Sequence, residues 1–284
     1  MKIINQSFEI IDQPNTEVGL FKHIEKACRT CYKSEDKITD TSYQRFLNMI
    51  RSNGHLSPWE HGTVYMAIPA NAPEDVGHIY GCLLGTPWTK ISSNISEFDS
   101  NYSTKTFYVT TNYRAIIENH LEDFYAKYKC EPTDYHEKRV TVKFITSIGI
   151  SRELNRHRCH SICEESTRYC GYHKDKFGGE LTFITPLWFR GYEDSDKEDA
   201  VNEYVNTLKW IEDCYMKLIY NGFKAQEARE ILPLCTKTEV IHTAFISDWQ
   251  EFFKLRCSNA AHPMIKQLAD GLKEEFIKRK YISE

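Results

Sequence analysis

One short stretch of the sequence carries a high density of charged side chains. Between Asn155 and Tyr172 the chain reads NRHRCHSICEESTRYCGY, with arginine and histidine crowded at its start and two adjacent glutamates near its middle. Each guanidinium offers five N–H donors in a planar fork, which matches a phosphate, a carboxylate or the edge of a pyrimidine. Arginines this close repel one another unless an anion or carboxylates balance them. The stretch therefore predicts either a bound anion or a solvated helix face crossed by ion pairs.

The secondary structure of this stretch decides whether the charges meet. Arg152 and Arg156 are four residues apart, so they lie on one face if residues 151–158 form a helix. Residues 164–169 alternate between two faces if they are extended, with Glu164 on one side and Glu165 on the other. The sequence thus predicts a helix and a following strand that bring charge to one place.

Elsewhere the apolar pattern predicts helices and strands in irregular order. Helices are predicted at residues 42–51, 115–128, 197–220, 225–231, 248–255 and 263–280, and strands at residues 64–68, 107–111, 140–145, 181–184 and 240–246. Asn-Gly pairs at Asn53 and Asn221 are typical of helix ends, and Asp248 is a candidate N-cap. Because strands and helices do not alternate regularly, an α+β fold is favoured over a doubly wound sheet.

Composition is that of a globular protein. The chain has 284 residues, of which 41% are hydrophobic, so we expect one domain spanning residues 1–284. The start lacks the apolar run of a secretory signal, and no segment approaches the ~20 apolar residues that cross a bilayer. We therefore expect no membrane association and a cytoplasmic protein, or one in the host cytoplasm if it is virus-encoded. The ten cysteines are then expected to be free thiols.

Other binding modes have weaker support. The sequence contains neither G-x-G-x-x-G nor G-x-x-x-x-G-K-[ST], so no Gly-rich phosphate loop is predicted. Only one C-x-x-C occurs, so we expect no metal, although zinc ligands could be drawn from Cys28, Cys31, His157, Cys159, His160 and Cys163. A nucleic-acid surface needs a broad basic face, and a net charge of −4 with acidic stretches at residues 118–123 and 193–199 argues against one.

The charged stretch resembles the signature of a known enzyme family. Arg156-His157-Arg158, seven intervening residues and then Ser166 is similar to the motif of the flavin-dependent thymidylate synthases (ThyX-type). Further blocks agree with that family in order along the chain: CRTCY near residue 31, GHLSPWEH before residue 62, EAREILP and FFKLRCSNAAHP. The resemblance extends from about the thirtieth residue to the last predicted helix.

The resemblance implies a fold and a reaction. Members of the family have an antiparallel sheet with packed helices and assemble as homotetramers, with FAD and dUMP bound where subunits meet. They transfer a one-carbon unit from 5,10-methylenetetrahydrofolate to C5 of dUMP, giving dTMP, and NAD(P)H reduces the flavin that supplies hydride. No cysteine nucleophile is required. The alternative is a related flavin-dependent methyl- or hydroxymethyltransferase that acts on another pyrimidine nucleotide.

The same resemblance implies roles for individual residues. Arg256 is the expected catalytic residue, because its family counterpart hydrogen-bonds the uracil edge and favours the ionised form of N3. Arg229 is expected to grip dUMP, through its phosphate. The full set implied for the nucleotide is Glu153, Arg156, Glu164, Glu165, Ser166, Thr167, Arg168, Arg229 and Arg256. The set implied for the flavin is Arg156, His157, Arg158, Glu164, His61, Thr63 and Cys31.

Three positions depart from the family pattern. Cys163 stands where the motif usually has Asn, and a thiol is a weaker hydrogen-bond donor than an amide. Phe245 and Ser247 stand where some members place Asn and Arg against the flavin. These departures are expected to affect flavin affinity and the geometry at the adenine side of the flavin.

Overall fold

Antiparallel sheets with helices packed against them make up the described part of the chain. The computed structural model describes residues 1–73, 76–86, 88–94, 105–174, 177–189 and 197–283. The strands are β1 (Lys2–Ile4), β2 (Ser7–Ile11), β3 (Thr63–Pro69), β4 (Lys90–Ser93), β5 (Thr106–Asn112), β6 (Arg139–Ser147), β7 (Ser161–Glu164), β8 (Thr182–Ile184) and β9 (Lys237–Phe245). The helices are α1 (Glu17–Tyr32), α2 (Ser42–Ser52), α3 (Val76–Leu84), α4 (Tyr113–Glu118), α5 (Glu122–Tyr128), α6 (Ile148–Leu154), α7 (Glu198–Tyr220), α8 (Ala225–Ala228), α9 (Ile246–Arg256) and α10 (Pro263–Lys278).

The largest sheet has four strands in the order β2-β6-β9-β7, and every neighbouring pair is antiparallel. Strand β9 is buried at all of its positions because β6 and β7 flank it and helices cover the sheet. A second sheet, β3-β5-β4, is also antiparallel, whereas β1 and β8 form a parallel pair. The predicted α+β class with an antiparallel sheet and packed helices is confirmed.

One core lies between the four-stranded sheet and helices α6, α9 and α10. Trp249, Phe252 and Phe276 fill it and are each at most 1% exposed. Burial of one such side chain contributes roughly 1.5–3 kcal/mol, so these rings fix α9 and α10 on the sheet. Helix α10 begins at Pro263, as predicted, because the ring of His262 accepts the Met264 amide and proline tolerates the first helical position.

Two further apolar clusters support the other elements. One packs α1 and α2 against the β3-β5-β4 sheet, with Ile24, Ile50 and Met66 fully or almost fully buried. The other packs α7 against β8. In the described ranges no helix is both long enough and apolar enough to cross a bilayer. All ten cysteines lie in the described ranges, and none of them forms a disulfide bond.

Several predicted element boundaries are wrong for identifiable reasons. The predicted helix 115–128 is two helices, α4 and α5, because His120 adopts a left-handed backbone with φ 56° between them. Helix α9 begins at Ile246, so Asp248 lies in its first turn and is not the N-cap. The Ser247 amide is satisfied instead by the carboxylate of Glu137 at 3.0 Å.

The charged stretch itself also differs from expectation. Helix α6 ends at Leu154, and the following turns place Arg156 outside the helix, so the shared helical face of Arg152 and Arg156 is not formed. Strand β7 ends at Glu164, and the residues after it form a turn closed by the Cys170 amide on the Ser166 carbonyl at 2.9 Å. The predicted extension of residues 164–169 is therefore wrong beyond its first residue.

Candidate active site

A cavity of about 630 Å³ lies between helix α6, the turn after β7 and the turn that follows α8. We call it the arginine cavity because Arg152, Arg168 and Arg229 line it. Six of the residues that the resemblance implies for the nucleotide also line it: Glu164, Glu165, Ser166, Thr167, Arg168 and Arg229. The structure therefore brings together side chains separated by more than sixty positions in the sequence.

Backbone hydrogen bonds hold the turn after β7 against two other elements. The Glu165 amide donates to the Glu239 carbonyl of β9 at 2.8 Å, and the Ser166 amide donates to the Cys31 carbonyl of α1 at 3.0 Å. Cys31 thus supports the cavity through its backbone oxygen. Its thiol contacts the buried thiol of Cys163, which lowers the pKa of Cys31. Cys163, which stands where the family motif usually has Asn, is therefore buried with its sulfur against that of Cys31.

The charges on the cavity wall leave an excess of cationic donors. Arg229 follows α8 in a 3₁₀ turn and donates to the Thr167 hydroxyl at 3.4 Å. Its ion pair with Glu230 is long, at 3.6 Å, and Glu230 is mostly exposed. Arg152 is exposed and forms no ion pair with the described residues. Because guanidinium groups remain protonated at any working pH, the cavity is suited to an anion such as a phosphate.

A buried ion cluster lies beneath this cavity. Lys237 contacts Glu165 at 2.7 Å and Glu239 at 2.5 Å, and Glu239 also pairs with Lys143 at 2.5 Å and with Lys33. Burial opposes ionisation of Glu239, but the three lysines outweigh it and hold its pKa well below the ordinary value. The cluster neutralises Glu165, so this carboxylate does not cancel the positive charge of the cavity arginines.

Glu164 is held by two polar side chains that sequence analysis did not single out. Asn155 donates its amide N–H to Glu164 Oε2 at 2.8 Å, and the Thr238 hydroxyl donates to Glu164 Oε1 at 3.1 Å. Thr238 also lines the cavity. Both are uncharged, and Thr238 is 74 residues away in the sequence, so the density of charged residues does not indicate that either one belongs to the site.

Arg256 lies in a different group of side chains. Its Nη1 donates to Glu153 Oε2 at 3.1 Å, its Nη2 donates to the Glu153 carbonyl at 2.8 Å, and its Nε donates to His157 Nε2 at 3.0 Å. Burial, with a smaller effect of the Arg256 charge, lowers the pKa of His157 to about 4, so its ring is neutral and accepts. These contacts use three of the five guanidinium N–H groups and leave two.

Arg256 and the arginine cavity lie against neighbouring residues of helix α6. Arg152 lines the arginine cavity, whereas Glu153 lines a second cavity of about 720 Å³ whose other walls are mainly apolar, including Trp188 and Leu234. Arg256 is not among the described residues that line the arginine cavity. The structure therefore groups Arg229 with Arg168, and Arg256 with Glu153 and His157, but it does not bring the two groups into one cavity within a single chain.

The residues implied for the flavin are divided as well. Arg156 and Arg158 are exposed and form no ion pair with any described residue, so their donors are free for a diphosphate. This donor set fits the anionic part of FAD. His61 is fully buried, and its Nδ1 contacts the Thr243 hydroxyl at 2.8 Å. Thr63 lines a separate cavity of about 310 Å³.

The two other departures from the family pattern have interior contacts. Phe245 is 1% exposed, and the Lys90 ammonium lies 4.7 Å from the centre of its ring. Ser247 is hydrogen-bonded by Lys90 and donates its amide to Glu137. Within the described ranges, no group of three or more Cys, His, Asp or Glu side chains is arranged to hold a metal ion.

Comparison with known proteins places this site in a family. Residues 136–279, just over half of the chain, match the family model described as thymidylate synthase complementing protein. A probable flavin-dependent thymidylate synthase of Paramecium bursaria Chlorella virus 1 is 29% identical over 49% of this chain and 66% of its own length. A flavin-dependent thymidylate synthase of Pyrococcus horikoshii is 32% identical over 46% of this chain and 51% of its own length.

The aligned regions thus span about half to just under two thirds of these relatives. A solved structure of a UMP/dUMP methylase from Streptomyces cacaoi, bound with 5-Br UMP, superposes with a TM-score of 0.48 at 15% identity, covering 98% of this chain and 92% of that one. The matched family region contains helix α6, the Arg156-His157-Arg158 motif, Arg229 and Arg256. The chain belongs to the thymidylate synthase complementing protein family.

Proposed function

We propose that this chain is a flavin-dependent thymidylate synthase. It transfers a one-carbon unit from 5,10-methylenetetrahydrofolate to C5 of dUMP and releases dTMP. The observation that carries the proposal is the meeting of Arg168 and Arg229, from segments far apart in the sequence, on one cavity with Ser166 and Thr167. Family membership and the names of the aligned relatives support the same reaction.

The arginine cavity binds the nucleotide. Arg229 and Arg168 contact the phosphate, since guanidinium and phosphate form charge-assisted hydrogen bonds in bidentate geometry. Ser166 and Thr167 add hydroxyl donors. Glu164 and Glu165 also line the cavity, and their carboxylates accept hydrogen bonds from the sugar or the base. Arg152, which the resemblance did not include, adds a third guanidinium to this wall.

Arg256 is the catalytic residue. A guanidinium in a site with little water stabilises negative charge that develops on the pyrimidine without giving up a proton. Glu153 and His157 hold it in place, and its two remaining N–H groups serve as donors to the uracil edge. We propose that a homotetramer completes the site, so that Arg256 and the arginine cavity meet where subunits join.

FAD is the proposed cofactor, and NAD(P)H and methylenetetrahydrofolate are the co-substrates. When bound, reduced flavin supplies the hydride. Arg156 and Arg158 bind its diphosphate, with His157 and Glu164 nearby, while contacts from His61, Thr63 and Cys31 stay predictions. We further propose that residues 1–284 form one domain that works in the cytoplasm, or in the host cytoplasm if the chain is virus-encoded.

The test is formation of dTMP by the purified protein. The complete mixture contains FAD, NADPH, dUMP and methylenetetrahydrofolate, and each component is omitted in turn. The proposal predicts dTMP in the complete mixture and none without dUMP, folate or reductant. A parallel reaction with UMP tests another acceptor. Bound flavin without any product from dUMP would contradict the proposed reaction.

A further inference from the structure

An uncharged residue connects the arginine cavity to the centre of the main sheet. Asn155 donates its amide nitrogen to Glu164 Oε2 at 2.8 Å, and its amide oxygen lies 3.2 Å from His242 Nε2. The Nδ1 atoms of His242 and His160 lie 3.1 Å apart. We infer that Asn155 is a positioning residue, which fixes the carboxylate of Glu164 for the nucleotide and is itself fixed by the His242–His160 pair.

The carboxylate of Glu164 determines the direction of each hydrogen bond in the series Glu164–Asn155–His242–His160. Ionised Glu164 only accepts, so the side of Asn155 that faces it must be the NH₂ group. The carbonyl oxygen of Asn155 then faces His242, which must carry its proton on Nε2. A neutral His242 therefore accepts at Nδ1, and His160 donates from its own Nδ1. One carboxylate in the cavity thus determines the tautomers of two interior histidines.

Packing in the interior fixes the positions of the His242 and His160 rings. His242 lies in the middle of β9, opposite Val142 on one side and Ile162 on the other, and is 1% exposed. The His160 ring lies 4.6 Å from the Trp249 ring. Burial lowers the pKa of His242 to about 3 and that of His160 well below its ordinary value, so both rings are neutral as the hydrogen-bond directions require.

This arrangement gives Glu164 a defined orientation. Its Oε2 accepts from Asn155 and its Oε1 from Thr238, and an ionised carboxylate has about four acceptor positions. The remaining positions are available to an N–H or O–H donor of the nucleotide, because Glu164 lines the arginine cavity. This role of Glu164 rests on the proposed function, whereas the hydrogen-bond chain does not.

The hydrogen-bond chain is tested by NMR of the protein with ¹⁵N-labelled histidine. The two-bond couplings of the imidazole nitrogens report which nitrogen carries the proton. We expect the Nε2–H tautomer for His242 and the Nδ1–H tautomer for His160 near neutral pH, with the His242 signals perturbed in Asn155→Ala. The Nδ1–H tautomer at His242 would overturn the inference. This result does not depend on whether the protein binds dUMP.

The effect on the nucleotide is tested by dUMP titration. Asn155→Ala is expected to weaken dUMP binding about tenfold or more, since hydrogen bonds to charged groups are the stronger class. Asn119 provides the matched control because its amide donates to the Ala115 carbonyl at 2.8 Å and is likewise half-buried. Asn119→Ala should leave dUMP affinity unchanged. Equal affinity in wild type and Asn155→Ala would overturn the positioning role.

Exchanging the amide of Asn155 and the carboxylate of Glu164 separates an effect on folding from an effect on the positioning of Glu164. Asn155→Asp places two carboxylates in contact and should lower the Tm. Adding Glu164→Gln restores a hydrogen bond of reversed direction, and the contact with His242 is kept because the new carboxylate still accepts from Nε2–H. We expect the double variant to recover most of the lost Tm and none of the lost dUMP affinity. Failure to recover the Tm would overturn the contact, and a wild-type protein that does not bind dUMP would refute the proposed function instead.

Discussion

Arg256 holds Glu153 at two points. Its Nη2 donates to the Glu153 backbone oxygen at 2.8 Å, and its Nη1 donates to the carboxylate of the same residue at 3.1 Å. These contacts tie the last residue of α9 to the last turn of α6. A catalytic guanidinium with a fixed orientation needs no reorganisation when charge develops on the substrate.

The charge and the geometry of this pair can be separated by substitution. Glu153→Gln keeps an oxygen that accepts from Arg256 but removes the negative charge, so we expect turnover within a few-fold of wild type and tighter binding of the anionic nucleotide. Glu153→Ala also removes the contact and should lower kcat more than Glu153→Gln does. Steady-state kinetics of both variants provide the comparison. Equal kcat in the two variants would show that Glu153 does not orient Arg256.

Arg256→Ala is expected to remove most activity and leave the flavin bound. Loss of one donor that stabilises charge in a transition state typically costs about 10²–10³ in kcat. Lys254→Ala is the control, since Lys254 is exposed on the same helix and only pairs loosely with Glu251 at 3.8 Å. Dialysed protein is assayed for dTMP formation and for the flavin absorbance it retains. Unchanged turnover in Arg256→Ala would refute its catalytic role.

Arg229→Ala is expected to weaken dUMP binding more than it lowers kcat. Loss of a charge-assisted contact costs about 1.5–3 kcal/mol, which is roughly a 10- to 150-fold rise in Kd. Deoxyuridine, which has no phosphate, should bind wild type and variant equally. Arg51→Ala, which breaks an exposed ion pair with Glu122, controls for the loss of a surface arginine. Calorimetry measures all of these affinities, and an unaltered dUMP affinity would remove Arg229 from the site.

Acid should destabilise the fold through buried histidines. Burial, helped by nearby Lys26 and Arg139, lowers the pKa of His23 to about 3. The unfolded chain then binds more protons than the folded one below the ordinary pKa, so stability is complete above ~6.5 and declines towards pH 3. At about pH 5, one such histidine lowers the free energy of unfolding by about 2 kcal/mol relative to neutral pH.

Urea unfolding at about pH 7.5 and about pH 5 measures this loss. His23→Gln should reduce the difference in unfolding free energy between the two pH values by about 2 kcal/mol. The same change at the exposed His173 should not. An equal pH dependence in wild type and His23→Gln would show that His23 is not buried in solution.

Local patterns predicted most of the elements, whereas the residues of the arginine cavity are implied by the family resemblance. The predicted strands 64–68, 107–111 and 140–145 lie within β3, β5 and β6. Helix α1 is not among the predicted helices, although Leu20, Ile24 and Cys28 recur at helical spacing and are all buried. The predicted strand begins at residue 240, whereas β9 begins at Lys237. The charges of Lys237 and Glu239 at its start are balanced in the interior by the distant Glu165, Lys33 and Lys143.

Contacts between residues that are distant in the sequence determine features of the site that local patterns do not predict. Asn155 carries no charge, and its partner His242 is 87 residues away, so no local pattern indicates their contact. Arg256 contacts Glu153 and His157 and is not among the described residues that line the arginine cavity. The predicted helix 151–158 ends four residues beyond the observed end of α6 at Leu154. The family resemblance implies which residues bind the nucleotide and the flavin, whereas the division of these residues into two groups follows from the fold.

The folate product of a single turnover tests the central claim most directly. Anaerobic protein containing reduced FAD is mixed with dUMP and 5,10-methylenetetrahydrofolate, and the pyrimidine and folate products are quantified together. If the hydride comes from the reduced cofactor, the folate leaves as tetrahydrofolate, so the account predicts dTMP and tetrahydrofolate in equal amounts. Dihydrofolate in place of tetrahydrofolate, or no dTMP from protein that binds both flavin and dUMP, would contradict it.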